Sequence, residues 1–128
     1  QPLHVGGTDR GGNSVIVSWM DRWKTNLHST WDDEMVDFER FDYKEYARFL
    51  DRASAADERR WVTGDIISYA DEAVAMRPKL YVFPDDTENN PEIHMISYKY
   101  IGAQRDRMRE QLLKGGLRLA RVLNLIFR

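Results

Sequence analysis

Apolar side chains along this chain recur at two different periods, and the switch between them divides the sequence. Ser14-Val-Ile-Val-Ser-Trp19 is β-branched and aromatic, and the polar Asp21 and Arg22 separate it from Trp23, a pattern that predicts a small β-hairpin. From Asn26 the spacing becomes helical, with Asn26 as N-cap and Leu27, Trp31, Met35 and Phe38 recurring every three or four residues. A second helix is expected over residues 43 to about 53, with Tyr46, Phe49 and Leu50 on one face. A third is expected from about 55 to 77, broken near Gly64, with Ile67, Ala70, Val74 and Ala75 inward and Pro78 stopping it. A polar loop lies between Pro84 and Pro91. From about 96 to 127 runs a long helix whose inward positions include Tyr100, Met108, Leu112, Leu119, Leu123 and Ile126. Gly115 and Gly116 sit in its middle, where each glycine costs about 1 kcal/mol relative to alanine; a close helix approach would account for that. Ahead of the hairpin, Val5-Gly-Gly-Thr-Asp-Arg-Gly-Gly-Asn13 holds half of the eight glycines and reads as a loop. With no internal repeat, the reading is a mainly α fold with one small β-hairpin.

Composition narrows what such a fold can do. At 128 residues, 42% hydrophobic and 31% charged, the chain fits one ordinary globular domain and is excluded from the disordered class. Nineteen basic against twenty-one acidic side chains leave a net charge of −2, so no global positive field exists to hold a polyanion, and any nucleic-acid contact must be local. The absence of cysteine removes disulfides and thiolate chemistry. No apolar run approaches the roughly 20 residues that span a bilayer.

Of the three histidines, His28 stands four residues before Asp32 on an expected helix, so both side chains project from one face about one turn apart. A neutral imidazole and a carboxylate at that spacing can chelate a divalent cation such as zinc. His4 lies just before the glycine-rich loop, which could fold back to bring it to the same place. Three ligands of the His, His, Asp type leave open positions on zinc, as catalytic sites do. Spacing alone leaves open the plainer reading, in which both histidines are hydrogen-bonded at element ends and Asp32 is solvated beside Asp33 and Glu34. His94 has no carboxylate or histidine at ligand spacing and reads as structural. Asn13 could offer its amide to a ligand or serve only hairpin entry. Trp19, Trp23, Trp31 and Trp61 could stack on bases but read first as core. Arg105, Arg107, Arg109, Arg118 and Arg121, interleaved with Asp106 and Glu110, read as a solvated helix face.

The order of these motifs is more specific than any one of them. Gln1-Pro-Leu-His4, a loop ending Gly11-Gly-Asn13, the β-like Val15-Ile-Val-Ser-Trp19 and Asn26-Leu-His28-Ser-Thr-Trp31-Asp32 resemble the zinc-dependent single-strand-specific nucleases of the S1/P1 family. Lys114-Gly-Gly-Leu-Arg-Leu-Ala-Arg-Val-Leu-Asn124 looks like that family's last helix. The likeness is tightest over residues 1 to about 36 and loosest between about 36 and 96. It implies a helical phospholipase C/nuclease-like fold, a cluster of three zinc ions, and cleavage of single-stranded DNA and RNA to 5′-phosphates, often with 3′-nucleotidase activity. It further implies that His4, His28 and Asp32 bind one of the zincs, that Asn13 contacts a nucleobase, and that the protein is a secreted or periplasmic monomer.

The family's remaining zinc ligands have no counterpart in this chain, which begins inside a motif. The expectation is therefore that residues 1–128 are the C-terminal part of a single nuclease domain and are inactive alone. Two rivals are weighed. Zinc-dependent phospholipase C shares the fold, but its second ligand pair looks like His-x-x-x-Glu where this chain has Asp32. The other is a non-catalytic helical interaction module, whose histidines only cap and pack.

Overall fold

The computed structural model describes residues 9–88 and 93–128. Two compact units divide them: one joins the described residues up to Arg40 with Val82–Gln104, the other joins Phe41–Tyr81 with Arg105–Arg128.

The first unit is built on three short strands. Strands β1 (Ile16–Trp19) and β2 (Trp23–Asn26) form the expected antiparallel hairpin, with Ile16 opposite Asn26 and Trp19 opposite Trp23. Its turn is closed by Arg22 N–H donating to the Trp19 carbonyl at 2.8 Å, and Met20 and Asp21 both take left-handed backbone, φ +52° and +56°. That hand matches the twist of the flanking strands. On the other edge of β1 lies β3 (His94–Ile96), parallel to it, with Val17 opposite His94 and Trp19 opposite Ile96. This strand corrects the sequence reading, which starts the last helix at about residue 96; three residues are too few for a period of two to register. The helix, α6, begins instead at Tyr98 and runs to Ile126. Its N-terminal amides are capped from a neighbouring loop by Asp85, which accepts from Ser97 N and Tyr100 N at 2.9 Å and from Lys99 N at 3.2 Å; a carboxylate there also meets the positive end of the helix dipole. Val17, Trp19, Leu27, Met35, Ile96, Tyr100 and Ile101 form the buried core of this unit.

Helix follows β2 directly, in three pieces: α1 (Leu27–Ser29), a π-helical segment (Thr30–Glu34) and α2 (Met35–Phe38). Asn26 is the N-cap as expected, accepting from Ser29 N at 2.8 Å. After α2 the chain turns through Arg40 at φ +58°, a position that helix ends normally give to glycine. Arg40 is exposed, so Arg40→Gly removes the left-handed strain with no loss of packing. Denaturant unfolding is expected to show a gain of about 1 kcal/mol, and a loss would mean that the arginine side chain is holding the turn.

The second unit is helical: α3 (Tyr43–Leu50), α4 (Ala55–Val62), α5 (Ile66–Leu80) and the part of α6 from Arg105 onward. Side chains at each start explain the boundaries. Asp42 caps α3, Ser54 caps α4, and Asp65 and Ser68 make a reciprocal capping box at α5. The break between α4 and α5 falls at Gly64, as expected; its φ is +106°, and a Cβ there would collide with Ser68 Oγ. Pro78 does not stop α5, which continues to Leu80. Lying in the last turn, it forfeits a single backbone bond, and the helix outlasts it by two residues.

Three further expectations about burial are corrected. Tyr100 and Met108 on α6 are buried as predicted, but Leu112, Leu119, Leu123 and Ile126 are exposed. On α5 the same holds for Ile67 and Val74, at 71% and 65% exposure, and Ala70 and Ala75 are exposed as well. A Cβ added at Gly115 or Gly116 would meet nothing within 4 Å, so no close helix approach accounts for those glycines among the described residues.

Candidate metal site

The hairpin and the helix that follows it bring two of the predicted site residues together. Hydrogen bonding of Leu27 N to the Val15 carbonyl at 2.9 Å carries the hairpin register into the helix start, and burial of Leu27 turns the next residue, His28, outward. One turn on, the backbone widens: Met35 N–H bonds to the Thr30 carbonyl, five residues back. Such π turns are rare and occur often at functional sites. Fully buried Thr30 anchors this one, its hydroxyl donating to the Asn26 carbonyl at 2.9 Å. Trp31 pins its other side through an indole N–H bond to the Tyr100 hydroxyl at 3.0 Å. Asp32 lies in the widened turn, and its Oδ2 stands 3.0 Å from His28 Nε2.

The other nitrogen of His28 fixes what this pair can do. Nδ1 lies 3.0 Å from the carbonyl oxygen of Gly11, which only accepts, so with a cation on Nε2 the proton belongs on Nδ1. Nε2 faces the Asp32 carboxylate, which accepts a hydrogen bond from it when no ion is bound; with a cation present, the Nε2 lone pair and the carboxylate both turn to the ion. Two donors 3.0 Å apart are within the bite of one cation with bonds of about 2.0–2.1 Å, and nitrogen with carboxylate oxygen is a donor set that zinc accepts. A backbone carbonyl on the far nitrogen is the usual means of orienting such a ligand. Both side chains are accessible, at 46% and 65% exposure. The pair therefore fits zinc as part of a site. Among the described residues no group of three His, Cys, Asp or Glu gathers, and His4, the expected third donor, lies outside the described residues.

Asn13 is exposed, and its Nδ2 donates to the Arg10 carbonyl at 2.8 Å, which closes the loop before β1. His94 is paired after all: Nδ1 lies 2.7 Å from Asp86 Oδ2, eight residues away, and the ring stacks on Phe83 with centroids 3.9 Å apart. Of the tryptophans, Trp19 is buried, Trp31 and Trp61 are half-buried, and Trp23 is 49% exposed with its indole N–H 3.5 Å from Glu34 Oε1. The arginines of α6 correct the expectation of a solvated face. Arg118 donates to the Trp61 carbonyl and to Glu72, and Arg109 covers the ring of Phe49 at 4.8 Å. Sequence reasoning missed the Gly11 carbonyl as a partner of His28; the paired glycines before Asn13 were its one visible signal.

Comparison with known proteins agrees with the motif order. The family model described as S1/P1 nuclease matches residues 1–128. Endonuclease 5 of Arabidopsis thaliana is 28% identical over 144 residues, covering 99% of this chain and 46% of its own length. Endonuclease 4 of the same plant is 29% identical over 144 residues, with the same coverage. The chain thus spans about half the length of the curated relatives it matches. Matched by that family model over residues 1–128, the chain belongs to the S1/P1 nuclease family.

Proposed function

We propose that this chain contributes part of the zinc site of a nuclease that hydrolyses phosphodiester bonds of single-stranded DNA and RNA to 5′-phosphate products, and that also acts as a 3′-nucleotidase. The observation that carries the reading is the His28–Asp32 pair, 3.0 Å apart with the far nitrogen of His28 held by Gly11. His28 and Asp32, with His4, would hold the ion. Zinc bound there would supply charge stabilisation to the phosphate and to the departing 3′ oxygen. Asp32 brings a negative charge that lowers the net charge of a cation site, and Asn13 would contact a nucleobase through Oδ1, which makes no hydrogen bond among the described residues. With a net charge of −2, substrate is held by stacking and by the ion more than by a basic groove, and activity falls modestly with salt. A monomer exported to the periplasm or the cell exterior belongs to the same reading; among the described residues no helix is long and apolar enough to cross a membrane.

Elemental analysis of the chain after dialysis against trace zinc tests the site, and hydrolysis of a single-stranded oligonucleotide against a phosphatidylcholine by the full-length protein tests the chemistry. About one zinc per chain, lost on His28→Ala, is the expected result. Because the resemblance supplies ligands for one of the family's three zincs, the 128-residue chain alone is expected to leave the oligonucleotide intact. Cleavage by the isolated chain would refute that, and hydrolysis of the lipid in preference would move the activity to the phospholipases. Zinc content unmoved by His28→Ala would leave a helical interaction module as the better reading.

A further inference from the structure

The loop ahead of β1 holds an unusual backbone. Arg10, Gly11 and Gly12 take φ of +54°, +68° and +89° in succession, and at Arg10 the left-handed region is strained for a residue with a side chain. Two locks hold it. On one side, Asp9 accepts from Gly11 N at its Oδ1 (3.2 Å) and from Gly12 N and Ser14 N at its carbonyl (both 3.1 Å). On the other, Asn13 Nδ2 donates to the Arg10 carbonyl at 2.8 Å. The turn sits directly against the helix that carries the site: a Cβ on Gly12 would lie 3.1 Å from the backbone nitrogen of His28 and 3.3 Å from Leu27 Cβ. What this strained, closely seated turn presents to that helix is the Gly11 carbonyl, 3.0 Å from His28 Nδ1.

We propose that the turn over residues 9–13 is a positioning device for His28, with Asn13 and Gly12 as its positioning residues. Asn13 Nδ2 keeps the turn closed, Gly12 lets it approach the helix, and the Gly11 carbonyl holds the imidazole as the Nδ1–H tautomer with Nε2 beside Asp32. Asn13 thereby acts on the site before any substrate arrives, through its amide nitrogen, whereas a nucleobase contact would use its oxygen. The consequence for zinc rests on the function proposed above; the consequence for the tautomer stands without it.

Long-range proton–nitrogen NMR of the metal-free Asp32→Ala chain, which lacks the competing carboxylate at Nε2, at a pH where the ring is neutral, reads which nitrogen of His28 carries the proton; competition with a chromophoric chelator, on the chain that keeps Asp32, reads zinc affinity. With Asn13 in place, the Asp32→Ala chain should show the Nδ1–H form. Asn13→Ala should shift the population toward Nε2–H, the form free imidazole side chains prefer, and weaken zinc about tenfold, as loss of a ligand's outer partner does. Gly12→Ala should act in the same direction; should it fail to fold, the exposed Asn13 still decides. An Nε2–H ring in the Asp32→Ala chain with Asn13 in place, or tautomer and zinc affinity both unmoved by Asn13→Ala, would overturn the proposal. Should the chain that keeps Asp32 bind no zinc while the Asp32→Ala chain shows the Nδ1–H form, lost on adding Asn13→Ala, the zinc site proposed above falls and the positioning role stands.

Discussion

Replacing Glu72 with glutamine is expected to destabilise the chain by about 3 kcal/mol. Glu72 lies between two cations: Lys114 Nζ hydrogen-bonds its Oε1, and Arg118 donates to its Oε2 at 2.5 Å. Lys114 is buried, with 7% of its surface exposed, and faces the ring of Trp61, while the Arg118 guanidinium lies over Tyr69 at 4.0 Å. The glutamine variant leaves both cations in place, with Glu110, 3.7 Å from Lys114, as the remaining counter-charge among the described residues. Breaking a buried ion pair from one side costs about 3–5 kcal/mol, and partial exposure of Glu72 puts the effect at the low end. The pH dependence follows from the same contacts. Burial pushes the Glu72 carboxyl up, but hydrogen bonds and charge from Lys114 and Arg118 outweigh it and hold the group below the ordinary value of 4.5. A depressed carboxyl adds stability that is fully present above its unfolded value and is lost as pH falls through the folded one. The stability of the unsubstituted chain should therefore fall below about pH 4.5, and its advantage over Glu72→Gln should shrink in that range. Equal stabilities at neutral pH, or a gap that widens on acidification, would show that the cluster contributes no net stability.

This cluster also marks where the sequence stops being informative. Local signals were legible: the Asn26 cap, the break at Gly64 and the hairpin each depend on residues adjacent in the chain. Contacts across long separations were not. Arg118 and Glu72 are 46 residues apart, and nothing in the alternation of Arg118 with its neighbours distinguishes a solvated arginine from a clamped one. The spacing of Leu119, Leu123 and Ile126 identifies an apolar helix face, but helical period states only which residues share a face, and these are exposed. At the site, the His28–Asp32 spacing was enough to place both side chains together, because four residues of helix set it. The carbonyl that orients His28 was hidden, since seventeen residues separate it from the ring and a backbone acceptor leaves no mark on residue type.

Asp32→Ala is expected to weaken zinc binding more than about 100-fold while moving the unfolding free energy by less than about 1 kcal/mol. The separation of these two effects follows from where the residue lies. Its side chain is 65% exposed, and an exposed pair on one helical face is worth about 0–1 kcal/mol, screened by solvent and salt. The fold around it is held by other groups: Thr30 bonded to Asn26, Trp31 to Tyr100, and Leu27 and Met35 in the core. Its worth to a cation is larger, because it supplies one of the two donors that the described residues bring together and the carboxylate charge. Altering the outer partner of a metal ligand already costs about 10–100-fold in affinity, and removing the ligand exceeds that. His28→Ala should match it in zinc affinity but cost somewhat more stability, since it also gives up the bond to Gly11. A purely structural role for the pair predicts the opposite ordering, with stability lost and zinc unaffected. Chelator competition and denaturant unfolding on the same two variants therefore decide between a metal site and a helix-stabilising ion pair.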